Sequence, residues 1–122
     1  MSTVHVLLLA SGAVSGLIVL GSGLGKITGQ PVMKERAEHF SVAWERYRLI
    51  GFLEVAAVVG IVAGLWVHAL GLLAGVGVVA LMLGAVSVHL RFGDPVKAMT
   101  PALLVLASSG GYTAAQAAAI WG

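Results

Sequence analysis

Cysteine is absent from this chain of 122 residues, and charged residues are scarce. Without cysteine the chain can form neither a disulfide nor a zinc–thiolate site, and it has no thiol for redox chemistry. Asp, Glu, Lys and Arg together make up 10% of the sequence, against about 25% in soluble domains. The net charge of +2 is too small to indicate a nucleic-acid-binding protein. These absences argue against a water-soluble protein and against thiol or nucleic-acid functions.

Apolar residues make up 59% of the sequence, and the mean hydropathy is +1.01. They are concentrated in four segments of roughly 20 residues or more, the length that a helix needs to cross a bilayer. None of these segments carries the regular polar stripe that a soluble bundle presents to water. We therefore predict an all-α, four-helix transmembrane bundle that forms a single domain over residues 1–122. Its helices are predicted at about residues 3–24, 47–67, 69–90 and 98–120.

The link between the first two spans has the pattern of an amphipathic helix over about residues 31–44. Pro31 suits the first position of such a helix. Its apolar positions form one stripe, opposite the polar residues Lys34, Glu35, Glu38 and Ser41. We expect this helix to lie in the headgroup region of the membrane, with His39 solvated on its polar side.

Two further patterns concern how the spans pack. Small residues four apart let helix backbones approach each other, and three such pairs occur: Gly12 and Gly16, Gly60 and Gly64, and Gly71 and Gly75. The link between the second and third spans is very short, so we predict an antiparallel hairpin there. In that hairpin Arg48 is level with His89, and Glu54 is level with Leu83. His68, in the turn, is expected to be solvated.

All the charged side chains lie in or beside two links, the one between spans one and two and the one between spans three and four, with Glu54 counted as lying just inside its span. In a four-span fold these links share one end of the bundle. The positive-inside rule then predicts that loops 26–46 and 91–97 are cytoplasmic and that both termini lie outside. The seven basic residues are Lys26, Lys34, Arg36, Arg46, Arg48, Arg91 and Lys97.

Glu54 lies inside an apolar span, about 10 Å below the Tyr47 level of the helix. A carboxylate there costs on the order of 2.5 to 3.5 kcal/mol on insertion scales, so it needs a partner or a proton. We expect an ion pair with Arg48 or Arg91, and Lys26 at the end of the first span is a further candidate.

Two interpretations of this charged end compete. In the structural one, Glu54 pairs with a basic residue and holds helices together. In the functional one, the end of the bundle forms a polar pocket in which Glu54 and His89 transfer a proton and Arg91 stabilises negative charge. The ligand would also contact the polar residues Lys26, Tyr47, Arg48 and Asp94, and the apolar residues Phe52, Leu83 and Val86. No metal site is predicted.

Three segments in this order and spacing resemble the DoxX-like family: residues 25–31, 47–54 and 89–94. The similarity extends from about residue 8 to about residue 107. It implies a small four-helix protein of the bacterial inner membrane, in a family named after a subunit of a thiosulfate:quinone oxidoreductase and linked to membrane redox systems. The positions that match the family pattern are Lys26, Tyr47, Arg48, Glu54, His89, Arg91 and Asp94.

Three functional hypotheses follow. The first is a subunit that binds a lipophilic or quinone-like molecule, with the lipid bilayer and a redox complex or a second copy of the chain as partners. The second is a stand-alone membrane enzyme that isomerises a hydrophobic substrate or opens an epoxide. The third is a non-catalytic anchor or assembly subunit. An enzyme requires an unpaired Glu54 beside a cavity, whereas an anchor requires Glu54 locked in an ion pair.

Overall fold

The computed structural model describes residues 2–122, which form five α-helices and contain no strand. The predicted all-α fold is therefore confirmed. Three of the helices, α1, α4 and α5, are long and apolar enough to cross a membrane. The third helix in the chain, α3, also has 20 residues but contains four charged side chains. The helix bounds are α1 Thr3–Thr28, α2 Pro31–His39, α3 Trp44–Ala63, α4 His68–Arg91 and α5 Val96–Trp121.

The four long helices pack in a ring, in the order α1, α3, α4, α5 and back to α1. Their shared core contains Leu8, Val19, Ile61, Val78 and Tyr112. The outer surface instead exposes many large apolar side chains along all four helices. A water-soluble protein of this size rarely exposes so much apolar surface, whereas a lipid environment favours it. The exterior is that of a membrane-embedded protein.

The short helix α2 ends at His39, five residues before the predicted end at residue 44. It ends there because Ser41 adopts a left-handed conformation with φ of 55°. The N–H groups of Ser41 and Val42 then bond back to the carbonyls of Glu38 and Ala37, which is the Schellman pattern that terminates helices. The chain turns sharply as a result, and α3 begins three residues earlier than predicted.

Six glycines were predicted to lie in packing faces, and five of them do lie where two helices pack closely. In the α3–α4 hairpin, an added Cβ at Gly60 would lie 2.7 Å from the Cβ of Ala74, and one at Gly64 would overlap Gly71. Gly12 and Gly75 approach the Tyr112 ring in the same way. Gly16 is the exception, because nothing lies within 4 Å of its would-be Cβ.

The two charged links meet at one end of the bundle, as predicted. His39 at the end of α2 lies 2.8 Å from Asp94, which is in the link between α4 and α5. We call this end the charged end. The α3–α4 turn forms the opposite end, together with the start of α1 and the end of α5.

Candidate functional site

A buried ion pair joins α1 to α3 near the charged end. Lys26 Nζ lies 2.7 Å from Glu54 Oε1, and the two side chains are only 8% and 3% exposed. Lys26 also donates a hydrogen bond to Ser22 Oγ, one turn earlier on α1. A separation of 2.7 Å between an ammonium nitrogen and a carboxylate oxygen is that of a short charge-assisted contact. Because both side chains are nearly inaccessible, water screens the attraction between them less than at the surface.

Two glycines bring the backbones of α1 and α3 together at this pair. An added Cβ at Gly51 would lie 2.6 Å from the Cβ of Lys26, and one at Gly23 would lie 3.2 Å from the Cβ of Glu54. Each charged residue therefore packs over the glycine of the other helix. Side chains on antiparallel helices point back toward their own N-termini, so Lys26 and Glu54 lean toward each other across the crossing. The glycines fix the geometry of the pair.

Tyr47 covers the Lys26 side of the contact between α1 and α3. The Lys26 ammonium lies 5.0 Å from the centre of the Tyr47 ring, within the range of a cation–π contact. Met33 and Ala37 of α2 bury Tyr47 in turn. The short helix thus forms a roof over the ion pair.

The structure corrects the expected partner of Glu54, which is Lys26 and neither Arg48 nor Arg91. Arg48 instead donates from Nε to the carbonyl of Ile27 at 3.1 Å. Arg91 is exposed at the end of α4 and forms no ion pair within residues 2–122. The physical reason is that the Glu54 side of α3 faces α1, whereas Arg91 belongs to α4.

A second polar cluster holds α2 against the α4–α5 link. His39 Nε2 donates to one oxygen of Asp94 at 2.8 Å, and His89 Nδ1 donates to the other at 2.7 Å. Gly93, with φ of 68°, permits the turn in which the Asp94 N–H bonds to the His89 carbonyl. The hydrogen bonds from His89 and then from His39 hold the pKa of the Asp94 carboxyl below its ordinary value.

Aromatic rings surround this second cluster. Phe40 packs edge-on against the His89 ring, with centroids 5.1 Å apart, and Phe92 lies 5.7 Å from both Phe40 and His39. His39 was expected to be solvated, and 52% of its side chain is indeed exposed, but it is also fixed by Asp94. The cluster attaches the roof helix to the rest of the charged end.

The predicted site residues therefore do not share one pocket. Glu54 belongs to the α1–α3 seam, and His89 belongs to the cluster around Asp94. Phe52 and Leu83 are about half exposed on the outer surface of the helices, and Val86 is half-buried on α4. The roles assigned to these residues stay predictions. Within residues 2–122 no group of His, Asp or Glu is arranged to hold a metal ion.

Two open depressions lie near the start of α3. The first, of about 350 Å³, is lined by Trp44, Glu45, Arg48, Leu49 and Phe52, and we call it the outer α3 site. It contains two of the predicted ligand-binding residues, Arg48 and Phe52. The second, of about 460 Å³, lies on the other side of Trp44 and is lined also by Lys34, Ala37, Glu38 and Val42.

At the opposite end of the bundle, α5 places a buried polar network against the α3–α4 turn. Gln116 Nε2 donates to the Gly64 carbonyl at 2.9 Å and to Tyr112 Oη at 2.9 Å. Tyr112 donates in turn to the Ile61 carbonyl, and His68 Nδ1 donates to Gln116 Oε1 at 2.8 Å. The expectation that His68 is only solvated was therefore wrong. The sequence signal was the low apolarity of the last span, which the structure explains as packing inside the bundle.

An apolar exterior and a charged pair buried between helices define a helical integral membrane protein. Residues 7–111 match the model of the DoxX-like family, and the chain belongs to that family. No curated protein and no solved structure gives a significant match. The resemblance based on three short segments is confirmed, over a range close to the expected one.

Proposed function

We propose that this protein binds a lipophilic molecule at the outer α3 site. The observation that carries the proposal is the combination, in one open depression, of a fixed cation with exposed apolar side chains. Arg48 supplies the cation, while Leu49 and Phe52 are 58% and 49% exposed beside it. Ligand sites in proteins typically combine a mainly apolar lining with a few placed polar groups.

The Arg48 side chain is held in place before any ligand arrives. Its Nε donates to the Ile27 carbonyl, and its guanidinium carbon lies 5.7 Å from the centre of the Phe52 ring. The side chain is otherwise exposed, and within residues 2–122 its two terminal nitrogens form no hydrogen bond. An arginine restrained in this way loses less side-chain entropy when it binds an acceptor. A ligand that enters from the membrane would place its polar head at Arg48 and its apolar body along Phe52.

The membrane position of this site is part of the proposal. We propose that α3 is the fourth membrane span, because the Lys26 ammonium neutralises Glu54 and the other charges of α3 lie in its first five residues. The helix α2 then lies in the headgroup region, with loops 26–46 and 91–97 in the cytoplasm of a bacterial inner-membrane protein. The single-cysteine variants Ser41→Cys and Ser2→Cys are treated with a membrane-impermeant thiol reagent in intact cells. Labelling of Ser41→Cys but not of Ser2→Cys would contradict this orientation.

A non-catalytic anchor or assembly subunit is the second candidate function. Glu54 is locked to Lys26, and neither of the two depressions includes it, which is the arrangement that an anchor requires. The same observations disfavour acid–base catalysis by Glu54, since its charge is already neutralised. A redox-complex subunit or a second copy of the chain would then be the partner.

Binding of a quinone analogue tests the proposed function. The purified protein in detergent, with Trp66→Phe and Trp121→Phe so that Trp44 is the remaining tryptophan, is titrated with a water-soluble ubiquinone analogue, and tryptophan fluorescence reports occupancy of the site. We expect saturable quenching that is weakened by Phe52→Ala and unchanged by Leu83→Ala, an equally exposed residue on α4. If no quinone or lipid associates with the protein in this assay or in native mass spectrometry, the anchor becomes the better account.

A further inference from the structure

The outer α3 site carries one charge of each sign, and these two charges are not paired with each other. Glu45 and Arg48 are three residues apart on α3, so they lie on the same side of the helix. Within residues 2–122 neither side chain forms an ion pair. Both line the same depression. A cation and an anion left open side by side favour a ligand that also has one charge of each sign.

We propose that the occupant is a zwitterionic phospholipid with a primary ammonium group, of the phosphatidylethanolamine type. This inference rests on the proposed function and names the class of ligand. Arg48 binds the phosphate, for which its planar guanidinium is suited through paired N–H donors. Glu45 accepts hydrogen bonds from the ammonium group. Leu49 and Phe52 contact the first part of an acyl chain below the headgroup.

Charge and hydrogen-bonding capacity together favour this headgroup over three other kinds of ligand. An anionic phospholipid without an amine would place a second negative group beside Glu45. A choline headgroup has no N–H, so it would leave the Glu45 carboxylate without a hydrogen-bond donor. A quinone offers acceptors to Arg48 but nothing charged to Glu45. Among these four ligand classes, the ethanolamine headgroup alone offers a phosphate to Arg48 and N–H donors to Glu45.

The position of the depression fits a headgroup site. Trp44 lines the depression and is the first residue of α3, and tryptophan is enriched at the boundary between water and lipid. The Lys34 ammonium lies 5.7 Å from the Trp44 ring on the other side and restrains that ring. The apolar part of the depression extends from there along the helix toward the membrane interior, through Leu49 to Phe52.

Native mass spectrometry of the full chain tests the lipid class. The protein is reconstituted with equal amounts of phosphatidylethanolamine, phosphatidylglycerol and phosphatidylcholine, and the retained lipid is identified after release. We expect selective retention of phosphatidylethanolamine. Arg48→Gln should lower that retention about tenfold, the scale of a lost charge-assisted contact. Glu45→Gln should instead remove the preference over phosphatidylglycerol.

Two variants with the same change of charge serve as controls. Arg46→Gln and Glu35→Gln alter exposed residues that line neither depression, and both should retain lipid as the wild type does. Equal retention of the three lipids, a preference for phosphatidylglycerol, or equal losses in Arg46→Gln and Arg48→Gln would overturn the inference. Binding of the quinone analogue in that case would leave the proposed function standing. The absence of any retained lipid and of quinone binding would refute both.

Discussion

Lys26 and Glu54 pair across a helix crossing at which each helix has a glycine three residues before its charged residue. Gly23 precedes Lys26 on α1, and Gly51 precedes Glu54 on α3. The pair is nearly inaccessible to solvent, with Nζ and Oε1 2.7 Å apart. Removing one charge of such a pair leaves the other buried and uncompensated, whereas removing both can be nearly neutral.

Charge removal at this crossing should therefore be strongly non-additive. We expect Glu54→Gln and Lys26→Met each to lower the free energy of unfolding by about 3 to 5 kcal/mol. The double variant should recover most of that loss. Reversible unfolding in mixed micelles measures all three, with Glu35→Gln as the exposed control. Losses that simply add in the double variant would show that the two charges do not depend on each other.

A methyl group on Gly51 should separate α1 from α3. The Cβ of Gly51→Ala would lie 2.6 Å from the Cβ of Lys26 and 2.9 Å from the Gly23 carbonyl oxygen. We expect a loss of about 1 to 3 kcal/mol, typical of overpacking. Gly21→Ala is the matched control, because nothing lies within 4 Å of its would-be Cβ. That control should be neutral or stabilising by up to about 1 kcal/mol, since alanine favours helix.

Asp94→Asn should loosen the attachment of α2. The substitution removes the carboxylate to which His39 and His89 both donate, so amide hydrogens of residues 31–39 should exchange faster at neutral pH. Glu35→Gln, on α2 itself, should leave that exchange unchanged. Equal protection of α2 in the wild type and in Asp94→Asn would contradict the assigned role.

The effect of Asp94→Asn on amide exchange in α2 should depend on pH. Because the two histidines lower the pKa of Asp94, the charged carboxylate stabilises the docked α2 above the ordinary pKa of Asp, about 4. This contribution is lost as the pH falls through the lowered pKa. The difference in α2 exchange between wild type and Asp94→Asn should thus persist at pH 7 and narrow below about pH 4.

Much of the fold could be predicted from the sequence, because hydropathy and span length depend only on local composition. The antiparallel α3–α4 hairpin and the single charged end also followed from link lengths and charge positions. The end of α2 could not be predicted, because it depends on Ser41 adopting a left-handed conformation that the sequence favours only weakly. Hydropathy alone also does not decide whether α3 crosses the membrane, because its first turns contain most of its charges.

The site was harder to predict than the fold. That Glu54 needs a partner was clear, but from Leu49 onward α3 is apolar on all sides apart from Glu54 itself, so its sequence does not show which neighbour Glu54 faces. The equal spacing of Gly23 with Lys26 and of Gly51 with Glu54 is a pattern that could have pointed to α1, but these two glycines were not among those predicted to lie in packing faces. Gln116 was missed because no motif marks a single amide, and the low apolarity of the last span does not show which of its polar residues is buried.

The network around Gln116 gives a further prediction. Gln116→Leu removes the donor to the Gly64 carbonyl and the acceptor for His68, which should cost about 1 to 3 kcal/mol. Gly71→Ala should cost a similar amount, because its Cβ would overlap Gln116. The double variant should cost little more than either single one, since both disrupt the same network. Gly77→Ala, on the same helix with nothing within 4 Å, is the control for Gly71.

Photolabelling with a lipid that carries a diazirine in its acyl chain tests the central claim, that a lipophile occupies the outer α3 site. After irradiation of the reconstituted protein, the labelled residues are identified by peptide mass spectrometry. We predict that label concentrates at Leu49 and Phe52 and falls in Arg48→Gln but not in Arg46→Gln. Equal labelling of Leu49 and of Leu83 or Leu73, which are exposed on α4, would contradict the claim.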